Sequence, residues 1–372
     1  MSIHDKIASI KETGRPVIGC FPLYPPLELF DAMGLAPVIL WGFSDNIGRT
    51  PESDRHLQDY TCSVARRLAE WVLSDAGQAL DGMFMYNACD TLRNLPEILE
   101  AGTAAAGRPI PVHRIHLPMA GPDPAVDLSG YIRDELDTLI LELESRYKIT
   151  FSAEKFEKSV HRHGKIRELC RTLEGFVTDG RMPFSDFVRT VHQNGWHSSD
   201  VQVPFLSSVI EKTGCLPAGN PEPVKGRVLL SGILPPPHGI CDAIEAAGLR
   251  VAGNDIATLY RSYADTPAPG ADPGRYYTQF YSQHYPCPTL LQTADRRTEA
   301  LIRLARERRA DGVIFVGEKF CEYEYFEFPY LEKQLKAEGI QTLRLEIAMG
   351  DASSAAHRTR IEAFAEMLGE RV

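Results

Sequence analysis

Two thiols sit in near-identical surroundings. Asp81 to Leu99 reads DGMFMYNACDTLRNLPEIL, and Asp311 to Leu331 reads DGVIFVGEKFCEYEYFEFPYL. In each, an Asp-Gly turn feeds a short apolar run, Met83 to Tyr86 or Val313 to Val316. Each run ends in a loop bearing one cysteine, Cys89 or Cys321, next to acids. Apolar runs of this length between turn residues read as buried strands, and open α/β sheets bind ligands beyond the carboxyl ends of their strands. Further cysteines lie at 20, 62, 170, 215, 241 and 287, with no Cys-x-x-Cys pair. In a reducing compartment these are core thiols or metal ligands rather than disulfides, and free cysteine is among the most buried residue types. Soft thiolates favour iron–sulfur or zinc over hard cations. Structural zinc sites show closely spaced ligand pairs, which are absent apart from His284 and Cys287; His113/His116 and His161/His163 match no ligand spacing. A Cys–His nucleophile would explain one thiol and leave the rest.

The elements that must hold these thiols follow from pattern. Pro16 to Phe21 reads as a strand, PLYPP as a rigid loop, Leu27 onward as a helix stopped at Gly34, and Pro37 to Trp41 as the next strand. His56 to Leu73 has helical spacing with Cys62 in its early turns, and Ile110 to Leu117 adds a strand after the Cys89 unit. This β-α-β series implies a parallel sheet covered by helices. Between 122 and 223 the texture turns helical: Tyr131 to Tyr147, Ser152 to Phe176 capped by Ser152, and Met182 to Gln193, with Val201 to Phe205 as the one strand pattern. Cys170 and Cys215 fall here and read as thiols without functional consequence. From Gly226 the opening order recurs: strand Arg227 to Leu234, a proline loop, a helix from Ile240 to the Gly248 stop, and strand Arg250 to Ala252. A long helix over Pro286 to Arg308, the Cys321 strand, strand Gln341 to Ile347 and an amphipathic helix His357 to Leu368 complete the chain. The expected class is α/β, with two similar parallel-sheet (Rossmann- or flavodoxin-like) domains at 1–121 and 224–372 and a mostly helical segment at 122–223.

The repeat sorts the thiols into two sets, Cys20, Cys62 and Cys89 against Cys241, Cys287 and Cys321. Three such ligands converging near strand ends would hold an iron–sulfur cubane and leave its fourth iron to another ligand. Helix N-termini aimed at the same place would stabilise its negative charge. Glu28 and one of the acids around Cys321, Glu318 first, are candidate proton donors. The plainer reading makes Glu318, Glu322, Glu324 and Glu327 a solvated rim, because acids are seldom buried unpaired.

Composition narrows the field. The balance of 40 basic to 50 acidic residues gives −10, with no Lys/Arg stripe, which argues against nucleic acid. The polar N-terminus MSIHDKIASIKETGRP reads as neither signal nor anchor, and no apolar run approaches the ~20 residues of a membrane helix. A cytoplasmic protein is expected. No Walker A or GxGxxG loop follows a strand, so any ATP chemistry would belong to another protein. Arg66, Arg67 and Arg93 are candidates for a CoA phosphate or plain surface residues.

VGEKFCEYEYFEFPYLEKQL, together with CSVARRL, MYNACDTLRNL and HRTRIEAFAEML, resembles the 2-hydroxyacyl-CoA dehydratase D-component family, which includes cluster subunits of benzoyl-CoA reductases. The resemblance covers nearly the whole chain. It implies α/β domains with a helical segment, two-subunit assembly with a second copy or a paralogue, and a [4Fe-4S] cluster on Cys62, Cys89 and Cys321. It also implies an ATP-hydrolysing iron–sulfur activator that feeds single electrons, and an acyl-CoA substrate that passes through a ketyl radical to dehydration or ring reduction. The extra Cys20, Cys241 and Cys287 match a branch of the family in which six cysteines hold two sulfide-bridged cubanes, a double cubane that reduces small molecules. Two readings from other classes stand beside these: a cluster-free partner or scaffold subunit, and a solute-binding protein built of two α/β halves.

Overall fold

A computed structural model describes residues 2–41, 47–118, 127–218, 224–290, 294–348 and 355–370. Two four-stranded sheets organise them. In the first, β1 (Val17–Cys20), β2 (Ala36–Ile39), β3 (Gly82–Tyr86) and β4 (Val112–Ile115) run parallel in the order β2-β1-β3-β4. In the second, β5 (Gly226–Gly232), β6 (Leu249–Ile256), β7 (Gly312–Glu318) and β8 (Gln341–Ile347) run parallel in the order β6-β5-β7-β8. The two orders are the same, and the resemblance reaches single atoms. Asp81 accepts from Val17 N–H at 2.8 Å while its own N–H donates to Val17 O at 2.9 Å. Asp311 does the same with Arg227, at 2.7 and 2.8 Å. Strands β1, β3, β5 and β7 are apolar and almost wholly buried, as strands covered on both faces must be.

Helices fill the crossovers. α1 (Ile3–Lys11) precedes β1; α2 (Leu27–Ala32), α3 (Ser63–Leu73) and α4 (Asp90–Ala105) connect the first sheet. In the second half α9 (His238–Ala246), the short α10 (Tyr260–Tyr263), α11 (Pro273–Ser282), α12 (Ala294–Glu307) and α13 (Glu322–Ala337) play that part, and α14 (Ala355–Gly369) closes the chain. Gly34 and Gly248 end α2 and α9 at φ of 79° and 85°, a left-handed turn that costs glycine least.

Between the sheets lie α5 (Leu128–Tyr147), α6 (Ala153–Thr178), α7 (Phe184–Asn194) and α8 (Ser199–Gly214). Among the described residues they form no core of their own. The start of α6 (Phe156, Val160) packs with the first sheet and its later turns (Ile166 to Val177) with the second. At 26 residues it spans about 39 Å. Tyr276, Tyr277, Phe280 and Tyr281 of α11 cross back into the first core.

Several expected elements change. Val201 to Phe205 is helical, inside α8, despite its alternating pattern; Ser198 and Ser199 open the helix, and it buries Gln202 and Leu206 against its neighbours. The helix expected from His56 begins at Ser63, so Cys62 precedes it instead of lying within it. Of the helix expected over Pro286 to Arg308, α12 accounts for Ala294–Glu307, while Pro286 to Leu290 is not helical: Pro286 and Pro288 bracket Cys287 and resist helical pairing. α11 was hidden in a tyrosine-rich stretch, and β6 extends well past Ala252.

Candidate functional site

Cys62, Cys89 and Cys321 are the residues immediately before α3, α4 and α13, the N-cap position of each. There a side chain stands beside the unpaired N–H groups of the first turn. Each sulfur lies where a capping oxygen would, under the influence of the N–H three residues on (Ala65, Leu92, Glu324), without completing a full cap hydrogen bond. The thiols also sense one another: Cys62 and Cys89 act on Cys321 by charge, and Cys89 acts on Cys62. Two come from loops of the first sheet and one from the second, so the pocket lies where the halves meet.

Burial dominates the electrostatics and pushes all three thiols up, Cys62 to about 12. Acids push the same way: Glu318 and Glu324 on Cys62, Asp90 and Glu322 on Cys89, Glu324 on Cys321. A nucleophilic cysteine needs an electropositive setting, so this field disfavours the Cys–His nucleophile. It suits thiolates whose charge is balanced by bound iron. Among the described residues, no three His, Cys, Asp or Glu side chains group to hold a single metal ion; the thiolates of a cubane sit on separate irons and stand farther apart. Donor softness, helix ends and mutual approach all fit a cubane.

Two acids near the thiols are buried, which corrects the expected solvated rim. Glu318, 3 % exposed, accepts from Ser63 N–H at 3.1 Å and from the Ser63 hydroxyl, latching the end of β7 to the start of α3. Glu324, 1 % exposed, accepts from Ile233 N–H at 2.6 Å and Glu318 N–H at 2.7 Å. Burial raises its pKa to about 8 even against those two donors. Glu322 is exposed, and Glu327 pairs with Arg297 at 3.1 Å. Sequence reasoning missed Ser63 and did not single out Glu324. The spacing Cys-x-x-Glu, which mirrors a capping box, was the available signal for Glu324.

The other sequence candidates have partners of their own, though Cys287 and Cys89 both act on the Tyr86 hydroxyl. The Cys20 thiol faces Ile18 O at 3.6 Å in the first core, and the Cys241 thiol faces Pro236 O at 3.6 Å in the second. Cys287 receives Arg261 Nη1 at 3.4 Å and lies 3.2 Å from Thr289 Oγ1. Cys170 is buried and Cys215 exposed. Glu28 is fully buried, bound by Arg167 and by the Tyr276 and Tyr277 hydroxyls at 2.9 and 2.8 Å. Burial would raise its pKa, but the Arg167 guanidinium outweighs it and holds the carboxyl at about 2, so Glu28 keeps no proton near neutrality. His113 is bound to Glu142 and Tyr147, and His284 to Tyr285 O, as core histidines. Arg66 pairs with Asp54 and exposed Arg93 with Asp90.

Paired parallel-sheet halves of like strand order, with three cysteines at the N-cap positions of helices, define the class as an α/β protein of two similar domains. The profile of the family "2-hydroxyglutaryl-CoA dehydratase, D-component" matches residues 22–368, and the chain belongs to that family. It is 26 % identical to the (R)-phenyllactyl-CoA dehydratase beta subunit of Clostridium sporogenes, over 96 % of this chain and 93 % of that one. It is 25 % identical to the (R)-2-hydroxyglutaryl-CoA dehydratase beta subunit of Acidaminococcus fermentans, over 97 % and 95 %. With a benzoyl-CoA reductase subunit of Thauera aromatica it shares 23 % identity, over 96 % and 92 %. Among the described residues no helix is long and apolar enough to cross a membrane.

Proposed function

We propose that the chain is the iron–sulfur component of an acyl-CoA dehydratase or benzoyl-CoA-type reductase, holding one [4Fe-4S] cluster on Cys62, Cys89 and Cys321. The observation that carries this reading is that three helices from two sheets each begin at a cysteine and that these thiols lie within electrostatic reach of one another. When bound, such a cluster supplies single electrons at low potential. The chain's own residues provide the rest: helix-terminal N–H groups favour the anionic cluster, Glu324, whose pKa of about 8 keeps its carboxyl protonated near neutrality, can hold a proton beside the thiols, and Ser63 with Glu318 holds the halves together. The thiols of Cys20 and Cys241 face backbone carbonyls in separate cores, which favours one cubane over the double cubane.

The relatives are named as subunits, which supports a partner subunit here as well. Lacking a Walker loop, the chain would take electrons from a separate ATP-dependent activator. Eight free cysteines suit a reducing cytoplasm. Anaerobic purification and reconstitution, followed by iron and acid-labile sulfide assay, tests the proposal. About four irons per chain are expected, against about eight for a double cubane; Cys89→Ser and Cys321→Ser should each lose most of the iron while Cys20→Ser keeps it. Iron-free, colourless protein after reconstitution would refute it.

A further inference from the structure

A cavity of about 110 Å³, with none of the three cysteines in its lining, lies where both sheets meet the helical segment. Leu23 and Trp41 wall it from the first half, Ile166 and Asn194 from α6 and α7, and Thr258 and Tyr263 from the second. It is somewhat smaller than the ~150 Å³ apolar cavity that takes up benzene, so it suits a molecule of about four to six non-hydrogen atoms. Its walls are mainly apolar, yet four buried polar atoms on lining residues have no hydrogen-bond partner: Asn194 Oδ1, Thr258 Oγ1, His192 Nε2 and His163 Nε2, the last of which lies 3.9 Å from Asp31 Oδ2. Asn194, Thr258 and His163 are 4, 7 and 3 % exposed. Buried polar atoms are almost always satisfied, so unpaired ones around one space point to an occupant.

The charges nearby are already matched. Arg167 is bound to Glu28, and Asp31 beside His163 is held by Arg15, Arg162, Ser159 and Ser199. Burial lowers both histidines, His192 to about 4, so they are neutral at physiological pH. An anion or a cation would therefore be desolvated without a counter-charge.

We propose that this cavity is a second small-molecule site, separate from the cysteine pocket, for a compact uncharged alcohol or primary amide. Its apolar body would fill the aliphatic walls, while its polar end would donate to Asn194 Oδ1 and pair with Thr258 or a histidine. Because all three parts of the chain form the walls, an occupant braces them together and raises the melting temperature.

Isobutyramide and isobutanol, titrated into full-length anaerobic protein by saturation-transfer NMR and calorimetry, test the site. Dissociation constants between roughly 10 µM and 10 mM are expected for ligands of this size. Thr258→Val and Asn194→Leu, with melting curves confirming the fold, should weaken binding about tenfold or more. Should either fail to fold, Val191→Phe, which fills the space, should abolish binding. Cys89→Ser should leave binding unchanged, which separates this site from the iron. No binding of either probe means that the cavity holds only water, and binding indifferent to Thr258 and Asn194, or lost with Cys89, equally overturns the proposal.

Discussion

Cys62, Cys89 and Cys321 occupy N-caps normally given to serine, threonine or aspartate. The choice makes sense when the first-turn N–H groups serve a ligand on the sulfur instead of the helix alone. The placement of Cys89 and Cys321 between a strand and a helix was legible because an Asp-Gly turn and an apolar strand mark each of them. Glu324 was not legible as a buried acid, because composition rules place acids outside and only tertiary packing delivers Ile233 N–H to it. A second buried acid gives a test at this scale. Glu174, on α6, accepts from Asn254 Nδ2 at 2.9 Å, yet burial raises its pKa from 4.5 to about 7. Between those pH values the folded chain keeps a proton that the unfolded chain has lost, so stability falls as pH rises, by up to about 1.4 kcal/mol per pH unit. Glu174→Gln should flatten that slope in urea titrations across pH 4.5 to about 7.

Elements are joined by a few costly contacts. Glu28 on α2, Arg167 on α6 and the tyrosines of α11 form a buried ion pair linking three helices distant in sequence. Arg167→Met strands the carboxylate and should cost ~3–5 kcal/mol in chemical denaturation, whereas Glu28→Gln with Arg167→Met should recover most of that loss. Gly312 shows where a correct expectation had a different cause. The sequence marks it as a turn glycine, but a Cβ there would meet Phe364 Cζ at 2.7 Å, so close packing of α14 demands it. Gly312→Ala should therefore destabilise by ~1–3 kcal/mol, read from the urea midpoint at unchanged slope. Strands and caps such as Ser152, whose hydroxyl accepts from Lys155 N–H, were readable locally. The start of α3, the helix at Val201 and the tyrosine-rich α11 were not, because each is decided by what packs against it.

At the scale of the molecule, the shared strand order and the paired Asp81 and Asp311 contacts support descent from a doubled α/β unit. Its symmetry is broken at the site: Cys89 and Cys321 cap equivalent helices, whereas Cys62 caps α3 and Cys287 lies seven residues before α12. The order of motifs in the sequence suggested a three-plus-three set; Cys287 stands between prolines, outside α12, where Cys62 stands directly before α3. Ser63→Ala loosens the latch to Glu318, and hydrogen exchange at the first turn of α3 should rise severalfold in the iron-free protein.

Gene duplication usually leaves two modules that can be separated, but α6 gives its first turns to one sheet and its last turns to the other. Among the described residues, α6 therefore bridges the seam along which a protease or an engineer would divide the two sheets. Fragments cut on either side of that helix would each leave one half without its share of the strut, and only mixing them would restore a single cooperative melt.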